Sequence, residues 1–210
     1  MTVRETDEVA ALYEGVRRIL DLDSEGRKIG DCQHGVYLFY DYDGEPIYVG
    51  QTKERLRVRI RRHLTNQRTD AVAMSVLDPF EVAEIEMWPF WAPCGDISAT
   101  LDRAEFTVYQ KALRESAFSV ILNEGDIPEA ELIALPPSVR GAILPADDRR
   151  TREHPDIRLA RRARTIANLA RVISERKVKV GIRRTLWAQA QRLERLAKVR
   201  LEALDDTDQA

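Results

Sequence analysis

The chain has 210 residues, 44% of them hydrophobic and 32% charged, enough apolar material for one domain with an appendage or two small ones. Its net charge of -2 hides a split: residues 1–139 carry 15 basic and 25 acidic side chains, a net of -10, and residues 140–200 carry 18 and 6, a net of +12. No apolar run approaches a membrane span, the acidic start predicts no secretory or transit signal, and two cysteines 62 residues apart, Cys32 and Cys94, make neither a disulfide scaffold nor a zinc site.

Residues 5–22 read as an amphipathic helix, with Val9, Leu12, Val16, Ile19 and Leu20 at helical spacing, and residues 23–34 read as a loop. Val36-Tyr37-Leu38-Phe39-Tyr40 and Ile47-Tyr48-Val49 flank an Asp43-Gly44 turn signal, so residues 35–50 are expected to form a β-hairpin. Thr52 is placed to cap a helix whose apolar stripe is Leu56, Ile60 and Leu64. Residues 80–88 suit a third strand. A helix capped by Ser98 or Thr100 is expected to run to about Ser116, and residues 118–122 are a last strand or core. Pro128, Pro136, Pro137, Pro145 and Pro155 mark 123–155 as linker or wrapping loop. Residues 156–176 and 182–204 read as two basic helices. The acidic tail follows them.

Several residues carry chemistry. With a two-residue Asp43-Gly44 turn, residue 39 lies opposite 48 and residue 37 opposite 50. Tyr37 and Tyr48 then share a face beside Gly50, which leaves space above the sheet. Arg55, Arg59 and His63 recur every four residues on one helix face. Arginine offers a fork to phosphate oxygens, and histidine exchanges a proton near neutral pH. Glu105 falls on the apolar face of Leu101, Val108, Tyr109 and Ala112, where an acid must be paired, protonated or bound to metal; Glu115 is its rival.

Gly35-Val36-Tyr37, followed after an eleven-residue spacing by Tyr48-Val49-Gly50, resembles the signature of the GIY-YIG nucleases, with valine in the middle of each triplet. Arg59 with His63 four residues later is similar to that family's catalytic pair. Glu105 resembles its metal-binding glutamate, and Asn123 its asparagine near the domain end. The resemblance covers about residues 34–125. It implies an α+β fold: a GIY-YIG-like domain with a β-hairpin and a third strand in an antiparallel-type sheet flanked by helices. An N-terminal helix and loop (1–33), a Pro-rich linker (126–155), a basic helical extension (156–204) and an acidic tail (205–210) complete the chain.

The resemblance further implies hydrolysis of DNA phosphodiesters with one divalent cation. Glu105 would hold Mg²⁺, with Mn²⁺ as substitute. Arg59, with Arg57 as rival, would hold the charge on phosphorus. Tyr37 or Tyr48 would activate water, aided by His63. Beyond the active site, DNA contacts are expected from Arg55, Arg62, Arg183, Arg184, Arg192 and Arg195, because basic helices attract phosphate. Alternatively, the extension packs against the acidic half or dimerises. The functional expectation is a cytoplasmic restriction-type or phage-defence endonuclease, a homodimer where it cuts both strands. A structure-specific or mobile-element nicking enzyme, or a non-catalytic DNA-binding protein, is the alternative.

Overall fold

The structure, a computed structural model, describes residues 5–65, 76–92, 95–123 and 125–208, with side chains to 205; Cys94 lies outside them. Thr6 accepts a hydrogen bond from Val9 N–H and opens α1 (Asp7–Leu20), which buries Leu12, Val16, Ile19 and Leu20. The segment read as loop holds a small strand pair, β1 (Asp23–Ser24) and β2 (Arg27–Lys28), turning at Gly26, whose φ is +75°.

β3 (Gly35–Tyr40) and β4 (Pro46–Thr52) form the expected hairpin, with Phe39 opposite Tyr48 and Tyr37 opposite Gly50. The turn is longer than two residues, because the Asp41 carboxylate accepts from the N–H groups of Asp43 and Glu45, and a register shift falls between Phe39 and Tyr40. The strand faces keep their expected parity. α2 (Leu56–Leu64) follows. Thr52 does not cap it: its hydroxyl closes a turn onto Glu54, accepting from the N–H at 3.1 Å and donating to the carbonyl at 2.9 Å. β5 (Glu84–Pro89) pairs with β3 on the side away from β4. α3 (Ile97–Glu115) is capped by Asp96, which accepts from the N–H groups of Ser98 and Ala99 and so takes the place expected of Ser98 or Thr100.

Residues 118–122 form no strand. Ile121 and Leu122 are core, and Leu122 N–H donates to the Ile47 carbonyl at 2.8 Å. The Pro-rich stretch is the wrapping loop of the two readings, and it carries β6 (Val139–Ala142) onto β5. The sheet therefore has four antiparallel strands in the order β4-β3-β5-β6, one more than expected, with β4 at an edge. α3 covers one face, over Val36, Leu38, Tyr40 and Val49; α1 and α2 cover the other, over Tyr37, Phe39 and Tyr48. A Cβ on Gly15 would meet the Ile143 carbonyl oxygen at 2.0 Å, so α1 sits backbone to backbone on the chain leaving β6.

α4 (Ala146–Glu153), α5 (Pro155–Glu175) and α6 (Val180–Asp208) end the described chain. Pro155 starts α5 at its first position, where its missing N–H costs nothing. The pair α5 and α6 docks on the hairpin turn. Arg158 grips Asp43 with two bonds of 2.7 Å, Arg162 reaches Asp41 at 2.9 Å and Glu81 at 3.3 Å, and Arg192 also bonds Asp41. Among the described residues, no helix is long and apolar enough to cross a membrane.

Candidate active site

The register of the hairpin builds the site. Tyr37 lies opposite Gly50, and a Cβ there would meet the Tyr37 hydroxyl oxygen at 2.5 Å. Only glycine leaves room for the phenol to cross β4 and reach α2. There the hydroxyl lies 3.2 Å from His63 Nε2. The Tyr48 ring stacks 6.3 Å from Tyr37 and lies 5.2 Å from the His63 ring. All three side chains are buried. Burial pushes the Tyr37 phenol well above the usual phenol value, the neighbouring Tyr48 adds to this, and Arg59 opposes it.

Arg59 is half-buried against the two tyrosines, and its Nε has no hydrogen-bond partner among the described residues. Arg57, the rival, turns away: it bonds Asp21 at 2.7 Å and Asp31 at 3.3 Å, tying α2 to the N-terminal segment.

Glu105 approaches from α3. The Gln51 side-chain N–H group, on β4, donates to Glu105 at 3.0 Å and to Asp102 at 2.7 Å, while Gln51 Oε1 is buried without a partner among the described residues. Burial raises the Glu105 carboxyl above its usual range, Asp102 adds to this, and Gln51 and Arg59 oppose it. Glu115, its rival, sits elsewhere, paired with Lys111 at 3.1 Å and bonded by Tyr40. Gln51, Thr52, Lys53, Glu54 and Arg59 line an open pocket of about 440 Å³ beside the carboxylates, and Lys53 donates to Ser98 at 2.6 Å.

Gln51 and Asp102 were not among the expected site residues. Asp102 stands three places before Glu105, on the same side of a helix, and that spacing is the one sequence signal for it. Asn123 joins the site from outside the chemistry. Its amide donates to the Val49 carbonyl at 2.8 Å and accepts from Val49 N–H at 3.1 Å, acting as one residue of a missing neighbour strand. Val49 lies between Tyr48 and Gly50, so Asn123 braces the edge strand at these two positions.

The expected DNA contacts divide. Arg55 and Arg62 are exposed on α2 close to the site, with Arg62 paired to Glu54 at 2.6 Å. Arg183, Arg184 and Arg195 are exposed on α6. Arg192 is not available to DNA: it is 3% exposed and bonded to Asp41. That expectation is corrected by packing, since the helix face that carries Arg192 is the face docked on the hairpin turn.

Residues 33–101 match the family model described as GIY-YIG catalytic domain. No curated protein and no solved structure matches the chain. The match stops short of Glu105 and Asn123, whose place in the site rests on their bonds to Gln51 and Val49 of the matched segment.

Proposed function

We propose, from the match of residues 33–101 to the GIY-YIG catalytic domain, that the protein is a divalent-metal-dependent endonuclease hydrolysing DNA phosphodiesters at the edge of β4. Arg59 carries this reading. A buried guanidinium N–H without an acceptor is costly, and a phosphate oxygen is the acceptor that fits it best. The site also fits a cation. Glu105, the adjoining Asp102 and the unpartnered Gln51 Oε1 are oxygen donors of the kind Mg²⁺ takes alongside retained waters, and Mn²⁺ would substitute. The cation supplies charge stabilisation at the phosphate and the leaving oxygen.

The protein's own groups do the rest. Arg59 holds the scissile phosphate and the charge that builds on it. A water attacks phosphorus, the bond to the 3′ oxygen breaks, and the leaving oxygen takes a proton from solvent. Because burial keeps Tyr37 protonated, the phenol works as a relay rather than a standing base. It gives its proton to His63 as it takes one from the attacking water, and the 3.2 Å contact is the path. Tyr48, stacked on the same cluster, fixes the orientation of both rings.

Supercoiled plasmid incubated with the protein in Mg²⁺, in Mn²⁺ and in EDTA tests the reading. Cutting in the metals alone supports it, and intact plasmid in all three overturns it. Linear product is the outcome expected of a restriction-type or phage-defence enzyme, with two copies acting together. Nicked circles alone point to a nicking enzyme.

A further inference from the structure

The basic extension is narrower as a DNA surface than its composition suggests. Arg152, Arg158, Arg162 and Arg192 are buried, and Arg161 and Arg200 hold Glu8 and Asp156. Of the cations left over, the densest acid-free group lies at the junction of α5 and α6. Residues 176–193 contain six basic side chains and no acid, and Arg176, Lys177, Lys179, Arg183 and Arg184 are exposed. Among the described residues, only Arg184 of these five has an acidic partner, Asp126 at 2.6 Å. Trp187, one turn after Arg183 and Arg184, is 57% exposed, so its indole is open to pack on a ligand beside them.

This patch is joined to the reactive edge. Thr185 donates to the Asn123 carbonyl at 3.4 Å, and the Asn123 amide braces Val49 between Tyr48 and Gly50. A groove of about 240 Å³ between them is lined by Tyr109, Asn123, Gly125, Asp126, Gly181 and Arg184.

We propose that residues 176–187 form a docking surface for duplex DNA flanking the scissile phosphate. Arg176, Lys177, Lys179 and Arg183 hold backbone phosphates, Arg184 exchanges Asp126 for one, and Trp187 lies against the sugars. The inference rests on the nuclease reading of the site. Charge complementarity and continuity with β4 single out duplex DNA as the occupant. Five phosphate contacts give a log–log salt slope of about -4.5.

The test is anisotropy of a labelled duplex with the full chain in EDTA, across a salt series. Lys177→Glu with Arg183→Glu should weaken binding at least about tenfold and flatten the slope by about 2. Arg150→Glu, a single charge reversal at an exposed position on α4, should do neither. DNA should quench tryptophan emission in the parent and not in Trp187→Phe, since Trp88 is buried and Trp91 is bonded to Ser24. Unchanged affinity in the double variant, or equal loss in Arg150→Glu, overturns the surface while plasmid cutting by the parent leaves the nuclease reading standing. A parent that neither binds nor cuts DNA overturns both.

Discussion

At the residue scale, the proposed chemistry depends on an absence, the side chain missing at Gly50. The Tyr37 hydroxyl occupies the space a Cβ would fill, so Gly50→Ala must push the phenol off its line to His63. We expect Gly50→Ala to remain folded and lose cleavage about 10²-fold, the usual cost of a misplacement near 1 Å, read from single-turnover rates beside a thermal melt. Tyr37→Phe keeps the ring and removes the relay, so cleavage should fall at least about 10²-fold with the melting temperature nearly unchanged. A fully active Tyr37→Phe would move the relay to Tyr48. Glu105→Gln should abolish Mg²⁺ binding by calorimetry and spare duplex binding in EDTA. Equal Mg²⁺ binding in the variant would pass the role to Asp102. The tyrosines, the glycine and Arg59 were legible because strand alternation, hairpin register and helical spacing are local rules. Gln51 was not, since its amide meets a helix 51 residues further along the chain.

At the element scale, α5 and α6 carry a pattern that composition conceals. The buried positions of α5 are Arg158, Arg162, Thr165, Leu169 and Val172, and those of α6 include Ile182, Thr185, Gln189, Arg192 and Leu196. Both advance by three and four residues, the spacing of a core-facing stripe. The arginines on it face the core, although their charge suggested surface. β6 left little trace, because Val139-Arg140-Gly141-Ala142 is short and follows two prolines. The docked acids and arginines are not equivalent. Asp41 accepts from Arg162, Arg192 and two turn N–H groups, so Asp41→Ala strands buried cations and should destabilise the fold by about 3–5 kcal/mol. Among the described residues, Arg192 already leaves Nε and Nη1 without partners, and Arg162 still serves Asp41 without it. Arg192→Met should cost under about 1.5 kcal/mol and leave DNA affinity unchanged. Urea unfolding of the two variants checks the asymmetry, and equal losses would refute it.

At the scale of the whole molecule, the opposed charges of the two halves act on each other before they act on any partner. Part of the +12 is held against Asp41, Asp43, Glu81 and Glu8, so the extension completes the domain that holds the site rather than trailing from it. A chain ending near Pro136 would lose β6 and uncover Asp41 and Glu81; it should fail to fold, where a separable extension would leave a folded, weakly binding core. Acid provides a milder probe of the same dock. Burial alone would raise the Asp43 carboxyl, but the Arg158 fork and Arg162 overcome it and hold the carboxyl down to about 2, against 3.8 when free. A carboxyl depressed by folding adds stability that is present above its unfolded value and is lost as pH falls through its folded one. Asp43 should therefore stabilise the dock fully above about pH 4 and progressively less towards about pH 2. Other carboxylates titrate over the same range, so the informative quantity is the difference between the parent and Asp43→Asn. The parent should melt higher near neutrality, with the gap closing across that acid window. A gap that stays constant with pH would show that Asp43 is held by solvent and not by the extension, and the dock would then rest on Asp41 and Glu81.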